Sequence, residues 1–116
     1  MIIEFDKPDK SLSPNNKNGK SYHAYKSAKD KAHANARHIT LAVMAGMGRP
    51  ELIPSTLRIT FIHPTRRNYD LDNSLASCKA HIDGMSQALG IDDGCFTTMI
   101  LTKEYQKGVS KMVFEL

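Results

Sequence analysis

Tryptophan is absent from this chain of 116 residues, and cysteine occurs only as Cys78 and Cys95. The two cysteines form no CxxC pair and each sits among apolar neighbours, so buried free thiols are expected rather than a disulfide or a zinc site. No apolar run approaches the roughly 18 to 20 residues that cross a bilayer. The opening MIIEFDKPDK lacks the positive stretch followed by a long apolar one that marks a signal peptide. A cytoplasmic protein with no membrane partner and no organic cofactor is expected. Internal repeats and low-complexity tails are also missing. The length suits one domain over residues 1–116, so any larger working unit would come from oligomerisation.

Charge is present but unevenly spread. Residues 7–67 carry 12 lysines and arginines against three acids, an excess of +9, whereas residues 68–116 carry four against seven, an excess of −3. Four of those seven acids fall within DLD (70–72) and IDDG (91–94). A basic half joined to an acid cluster suits an enzyme that cuts a polyanion, the first holding phosphates and the second metal ions. A solvated basic helix beside ordinary helix caps has the same charge pattern.

The hydrophobic pattern places these charges on elements. Ile2, Ile3 and Phe5 mark a short strand, and the Pro-, Asn-, Ser- and Lys-rich residues 6–22 a long polar loop. Tyr25, Ala28, Ala32, Ala36, Ile39 and Val43 recur at spacings of three and four, which predicts an amphipathic helix over about 21–45, ended by Gly46 and Gly48. Tyr25 is assigned to its core face. Alternation of Leu57, Ile59 and Phe61 with Arg58 and Thr60 predicts a central strand over 57–63, stopped by Pro64. A second helix should start at Asp72 or Asn73 as cap, bury Leu75, Cys78, Ile82, Met85 and Leu89, and end at Gly90. Residues 96–105 and 109–116 read as two strands joined through Gly108 as a hairpin. The fold class is therefore α+β: two helices packed on one mixed sheet, in the order β-α-β-α-β-β.

On this scheme Asp70 lies in the extended segment leaving the central strand and Asp72 at the following helix start. In extended chain, residues two apart point the same way with Cα atoms roughly 6.5 to 7 Å apart, so both carboxylates can reach one cation. Asp92 and Asp93 stand in the loop after the same helix and join the site only if that loop turns back towards Asp70. At about 100° per residue, Asp72, Lys79 and Asp83 fall within about 40° of one another on a continuous helix. Lys79 can then approach a scissile phosphate while Asp83 holds it by an ion pair, or the two can form an ordinary surface pair. Converging carboxylates suit Mg²⁺, which takes oxygen ligands, neutralises charge on phosphoryl oxygens and activates water for phosphodiester hydrolysis. An EF-hand does not fit, because counting from Asp70 the sixth position is Leu75 instead of Gly and the twelfth is His81 instead of Glu. The five histidines, 23, 33, 38, 63 and 81, have no metal-ligand spacing.

The segments RRNYDLDN (66–73), CKAHIDGM (78–85) and IDDG (91–94) resemble the RusA-type Holliday junction resolvases, small endonucleases often carried by bacteriophages and prophages. The polar Ser-Pro-Asn loop and basic helix of residues 11–36 are similar to those preceding the acids in many members. The resemblance covers most of the chain and implies a RusA-like mixed sheet with helices, a homodimer, and Mg²⁺-dependent nicking of branched DNA. It implies that Asp70, Asp72 and Asp93 are catalytic metal-binding carboxylates, with Asp92 the lesser claimant, that Lys79 is the catalytic lysine, and that Asp83 is structural. Asn15, Asn16, Lys20, Arg66 and Arg67 become candidate phosphate contacts, or remain loop residues kept for solubility and turns. Tyr22 and Tyr25 are candidates to stack on an unpaired base.

The expected function is a Mg²⁺-dependent, structure-selective endodeoxyribonuclease that resolves Holliday junctions by paired symmetric nicks in DNA recombination and repair. A homodimer matches the two-fold symmetry of a four-way junction. The alternatives are a related nuclease acting on forks or flaps, and a non-catalytic basic DNA-binding module whose acids merely cap a helix.

Overall fold

Alternating burial builds a four-stranded sheet in the computed structural model, which describes residues 1–14 and 22–116. Strand β1 is Ile2–Asp6, β2 Thr56–His63, β3 Thr98–Tyr105 and β4 Lys111–Glu115, arranged β1-β4-β2-β3. β4 runs antiparallel to both neighbours, and β2 pairs parallel with β3. The register lines up apolar residues on one face: Ile3, Phe114 and Ile59 form one row, and Phe5, Met112 and Phe61 the next. All six are buried. Phe5 and Phe114 also meet edge to face, with ring centroids 4.9 Å apart.

Helix α1, Tyr22–Met47, presents Ala28, Ala32, Ala36, Ile39 and Val43 inward, of which Ala36 is fully buried. The small residues let a neighbouring helix approach closely. That neighbour is α3, Lys79–Leu89, whose residues Ala80, Ile82, Met85 and Leu89 are buried. At the crossing, a Cβ on Gly84 would collide with the backbone carbonyl oxygen of His33, so the close approach depends on glycine. His81 is also buried, beside the Phe5 ring at 5.6 Å, and its Nδ1 has no hydrogen-bond partner among the described residues. Burial pushes its pKa down to about 4.

The α+β class and the mixed sheet follow the sequence pattern, with four corrections. The expected hairpin of the last two strands does not form: β4 inserts between β1 and β2, while β3 pairs on the far side of β2. Met112 and Phe114 must be covered on both flanks, whereas β3, exposed at nearly every position and carrying Lys103 and Glu104, tolerates the sheet edge. The second helix is split: α2, Leu71–Ser77, ends at Cys78, whose φ of −105° and ψ of 10° leave the helical region before α3 begins. Tyr25 lies on the surface, 43% exposed, and Cys95 is exposed rather than buried. Cys78 is buried as expected, its thiol pushed up to about 12 by desolvation. No helix among the described residues is long and apolar enough to cross a membrane.

Candidate active site

Pro64 follows the last residue of β2, and the chain runs through residues 64–70 before α2 starts. Asp70 is the N-cap of α2, with extended φ of −81° and ψ of 127°, but its carboxylate caps no backbone N–H. Instead Asp70 Oδ2 accepts from Asn73 Nδ2 at 3.2 Å, and Asp72 Oδ1 accepts from the Asn73 backbone N–H at 3.0 Å. Ser74 Oγ donates to the Asp70 carbonyl at 3.0 Å. The expected cap at Asp72 or Asn73 therefore shifts back to Asp70, because both following residues are already helical. Asn73 is the residue that ties the two exposed acids together.

The break at Cys78 places Lys79 on the first turn of α3, so the continuous stripe expected for Asp72, Lys79 and Asp83 does not exist as one helix face. What survives is the i,i+4 pair: Lys79 Nζ donates to Asp83 Oδ1 at 2.8 Å. The same ammonium donates to Asp93 Oδ2. Asp93 opens a 3₁₀ turn, Asp93–Cys95, behind α3. Asp92 is the N-cap of that turn, its Oδ1 accepting from the Gly94 N–H at 3.0 Å. Asp93 rather than Asp92 thus reaches Lys79, since Asp92 is occupied by the turn's own backbone.

Electrostatics follow this geometry. Hydrogen bonds to Asp83 and then Asp93 hold Lys79 above the usual lysine range, so it is an ammonium at neutral pH. The Lys79 hydrogen bond holds Asp93 below the usual carboxylate range. The lysine side chain is 59% exposed, so this cation is fixed in place yet open to a ligand.

The structure brings Lys79, Asp83 and Asp93 together, and separately ties Asp70 and Asp72 to Asn73. Among the described residues, no three His, Cys, Asp or Glu side chains converge closely enough to hold one ion. Of the expected metal-binding set, Asp70 and Asp72 share Asn73 as partner, whereas Asp93 pairs with Lys79. Asp93 is committed to Lys79. Asp70 and Asp72 remain exposed oxygen donors of the kind a hard cation takes.

The loop from β2 to α2 is pinned by aromatic and cationic contacts. The His63 and Tyr69 rings stack at 3.5 Å and 5°, and the Tyr69 hydroxyl shares a hydrogen bond with Thr65 at 2.9 Å. Lys103 of β3 donates to the Tyr69 carbonyl at 2.9 Å and to Asn68 Oδ1 at 3.2 Å. Arg66 lies over Tyr105 at 4.5 Å and Arg67 over Tyr69 at 5.6 Å, both exposed. Asn15, Asn16 and Lys20 lie outside the described residues. Tyr22 is 70% exposed. Sequence reasoning missed Lys7, Lys10 and Lys111, which border a groove next to Asp70. No motif marks them, because they come from separate segments that only the sheet brings together.

No protein-family model matches the chain. An uncharacterized protein of Xylella fastidiosa (strain Temecula1 / ATCC 700964) is 34% identical over 111 residues, covering 94% of this chain and 71% of that protein.

Proposed function

We propose that this chain, which belongs to the same family as the Xylella fastidiosa protein, is a Mg²⁺-dependent, structure-selective DNA endonuclease that resolves four-way junctions as a homodimer in the bacterial or phage-infected cytoplasm. The observation that carries this reading is the exposed ammonium of Lys79, fixed by carboxylates from two elements on a chain whose acids and cations are segregated. The RusA-type resemblance of the same segments supports it.

In the proposed reaction, water adds to a backbone phosphorus and one phosphorus–ester-oxygen bond breaks, leaving a phosphomonoester and a hydroxyl. Negative charge builds on the phosphoryl oxygens. Lys79, protonated and held on two sides, is suited to neutralise it without first being reorganised. Asp83 and Asp93 act as positioning residues for that ammonium. Asp70 and Asp72 would hold Mg²⁺, which when bound supplies charge neutralisation and a more acidic water. The strand β3 supports a dimer, since it lies at the sheet edge among the described residues and carries exposed Met99 and Ile100.

The test is incubation of the purified chain with a synthetic four-way junction, with and without Mg²⁺. Symmetric paired nicks that need Mg²⁺, lost in Asp72→Asn while junction binding persists, are expected. Comparison with fork, flap and linear duplex at one salt concentration decides the preferred substrate. The second reading, a non-catalytic basic DNA-binding module, is favoured by Asp70 and Asp72 both accepting from Asn73 at the start of α2, as helix-start residues do. It predicts no cleavage under any condition and unchanged or tighter DNA binding by Asp72→Asn; that result overturns the endonuclease.

A further inference from the structure

At the end of the sheet where β1 and β2 finish and β4 begins lies a groove of about 390 Å³. Its floor is Phe61 and Met112, cross-strand partners that are both buried. One wall is α2, through Asn73, Ser74 and Ser77, and the other is the segment after β1. Four cations border it, Lys7, Lys10, Arg67 and Lys111, against two acids, Asp9 and Asp70; Lys111 is paired with Glu4 at 3.0 Å, so the excess rests on Lys7, Lys10 and Arg67. The cations come from three separate parts of the chain, so this is a feature of the folded protein and not a local charge run.

We propose that this groove binds a single-stranded stretch of DNA through its sugar–phosphate backbone and leads that strand past Asp70. This rests on the nucleic-acid reading above. Three observations carry it. The cations Lys7, Lys10 and Arg67 suit the phosphates of a nucleic-acid backbone. The volume lies at the small end of ligand sites, which span about 300 to 1,000 Å³, and so suits one or two nucleotides rather than a duplex. His63 lines the groove, and its buried Nε2 has no hydrogen-bond partner among the described residues, leaving a polar atom for a ligand to satisfy. The Tyr69 ring is already covered by His63 at 3.5 Å, so the contact is to the backbone and carries no base preference.

The test is fluorescence anisotropy of a labelled eight-nucleotide oligo-dT with the full chain in EDTA, repeated with oligo-dA and with dTMP as competitor. Lys7→Gln is expected to weaken binding severalfold and to lower the slope of log K against log salt by about 0.7, the value for one phosphate contact on a single strand. Lys29→Gln, on the exposed surface of α1, should leave the slope unchanged. Ser77→Leu, which fills the groove without altering charge, should weaken binding at all salt concentrations; circular dichroism checks that it folds. Equal binding of oligo-dT and oligo-dA is expected. Unchanged slope and affinity in both groove variants overturns the proposal, as does dTMP binding as tightly as the oligonucleotide. Because the binding assay contains no divalent ion, it reads the groove apart from cleavage: loss of binding in the groove variants, with no junction cleavage by the unaltered chain in Mg²⁺, sinks the endonuclease and leaves the groove standing. Cleavage that is intact beside unaffected binding does the reverse.

Discussion

Lys79 on the first turn of α3 is hydrogen-bonded to Asp93, a residue beyond the far end of the same helix. The contact closes the helix and the following turn into one unit with Asp83 between them. Lys79→Met should let the Asp93 carboxyl rise towards its ordinary value of 3.8, read by carbon NMR of the side-chain carboxyl against pH. The sign is fixed: Asp93 is depressed when folded, so its stabilising effect is present above 3.8 and lost as pH falls through its folded value. In a junction-cutting assay the same variant should lose roughly 10²- to 10³-fold in rate, the usual scale for removing one charge stabiliser.

Asp92 and Asp93 are adjacent, yet they do different work. Asp92→Ala removes the cap of the 3₁₀ turn and should cost on the order of 1 kcal/mol in urea unfolding while cleavage persists. Asp93→Asn should do the opposite, changing stability little and cutting activity sharply. Equal effects from both substitutions would contradict the division drawn from their hydrogen bonds.

Gly84 marks the tightest approach of α1 and α3. Gly84→Ala drives a methyl group into the His33 carbonyl and the backbone nitrogen of Arg37, atoms that cannot swing aside. Destabilisation of roughly 1 to 3 kcal/mol is expected by chemical denaturation, despite alanine's better helix propensity.

His81 supplies a pH dependence unrelated to the acids. Its pKa is about 4 in the folded chain against 6.5 when unfolded, because burial disfavours the imidazolium. The unfolded state therefore binds the extra proton first. Stability falls as pH drops from about 6.5 to about 4, by on the order of 3 kcal/mol in all, and the loss levels off below that window. His81→Phe, which keeps a ring against Phe5, should flatten this part of the pH–stability curve. An unchanged curve would remove His81 as its source.

Much of the architecture was legible because periodicity reports burial directly. Leu57, Ile59 and Phe61 alternate, and they are buried in an inner strand. The Lys79–Asp83 pair was legible for the same reason, since a spacing of four is local. Strand neighbours were not, because the Gly108 turn satisfies a hairpin and a crossover over β2 equally well; the choice is made by Met112 and Phe114 finding cover on both sides. The helix break at Cys78 was hidden as well, since the apolar spacing runs through it unbroken. The acids were found, but their partners were not: Asn73 between Asp70 and Asp72, and Lys79 on Asp93, depend on how α2, α3 and the following turn meet.

The placement of β4 also sets an order of events in synthesis. β1 and β2 lie on either side of β4 and touch it rather than each other, so the first half of the chain cannot assemble its sheet alone. Pairing of β1 with β4 joins Ile2 to Glu115, a closure spanning nearly all the residues and slow for that reason. A nascent chain on the ribosome carries every acid of the candidate site before it carries β4, with Lys111 and Met112 of the groove still to come. On the proposed reading, the groove is complete only once β4 has docked between β1 and β2, since Met112 forms its floor and Lys111 its border.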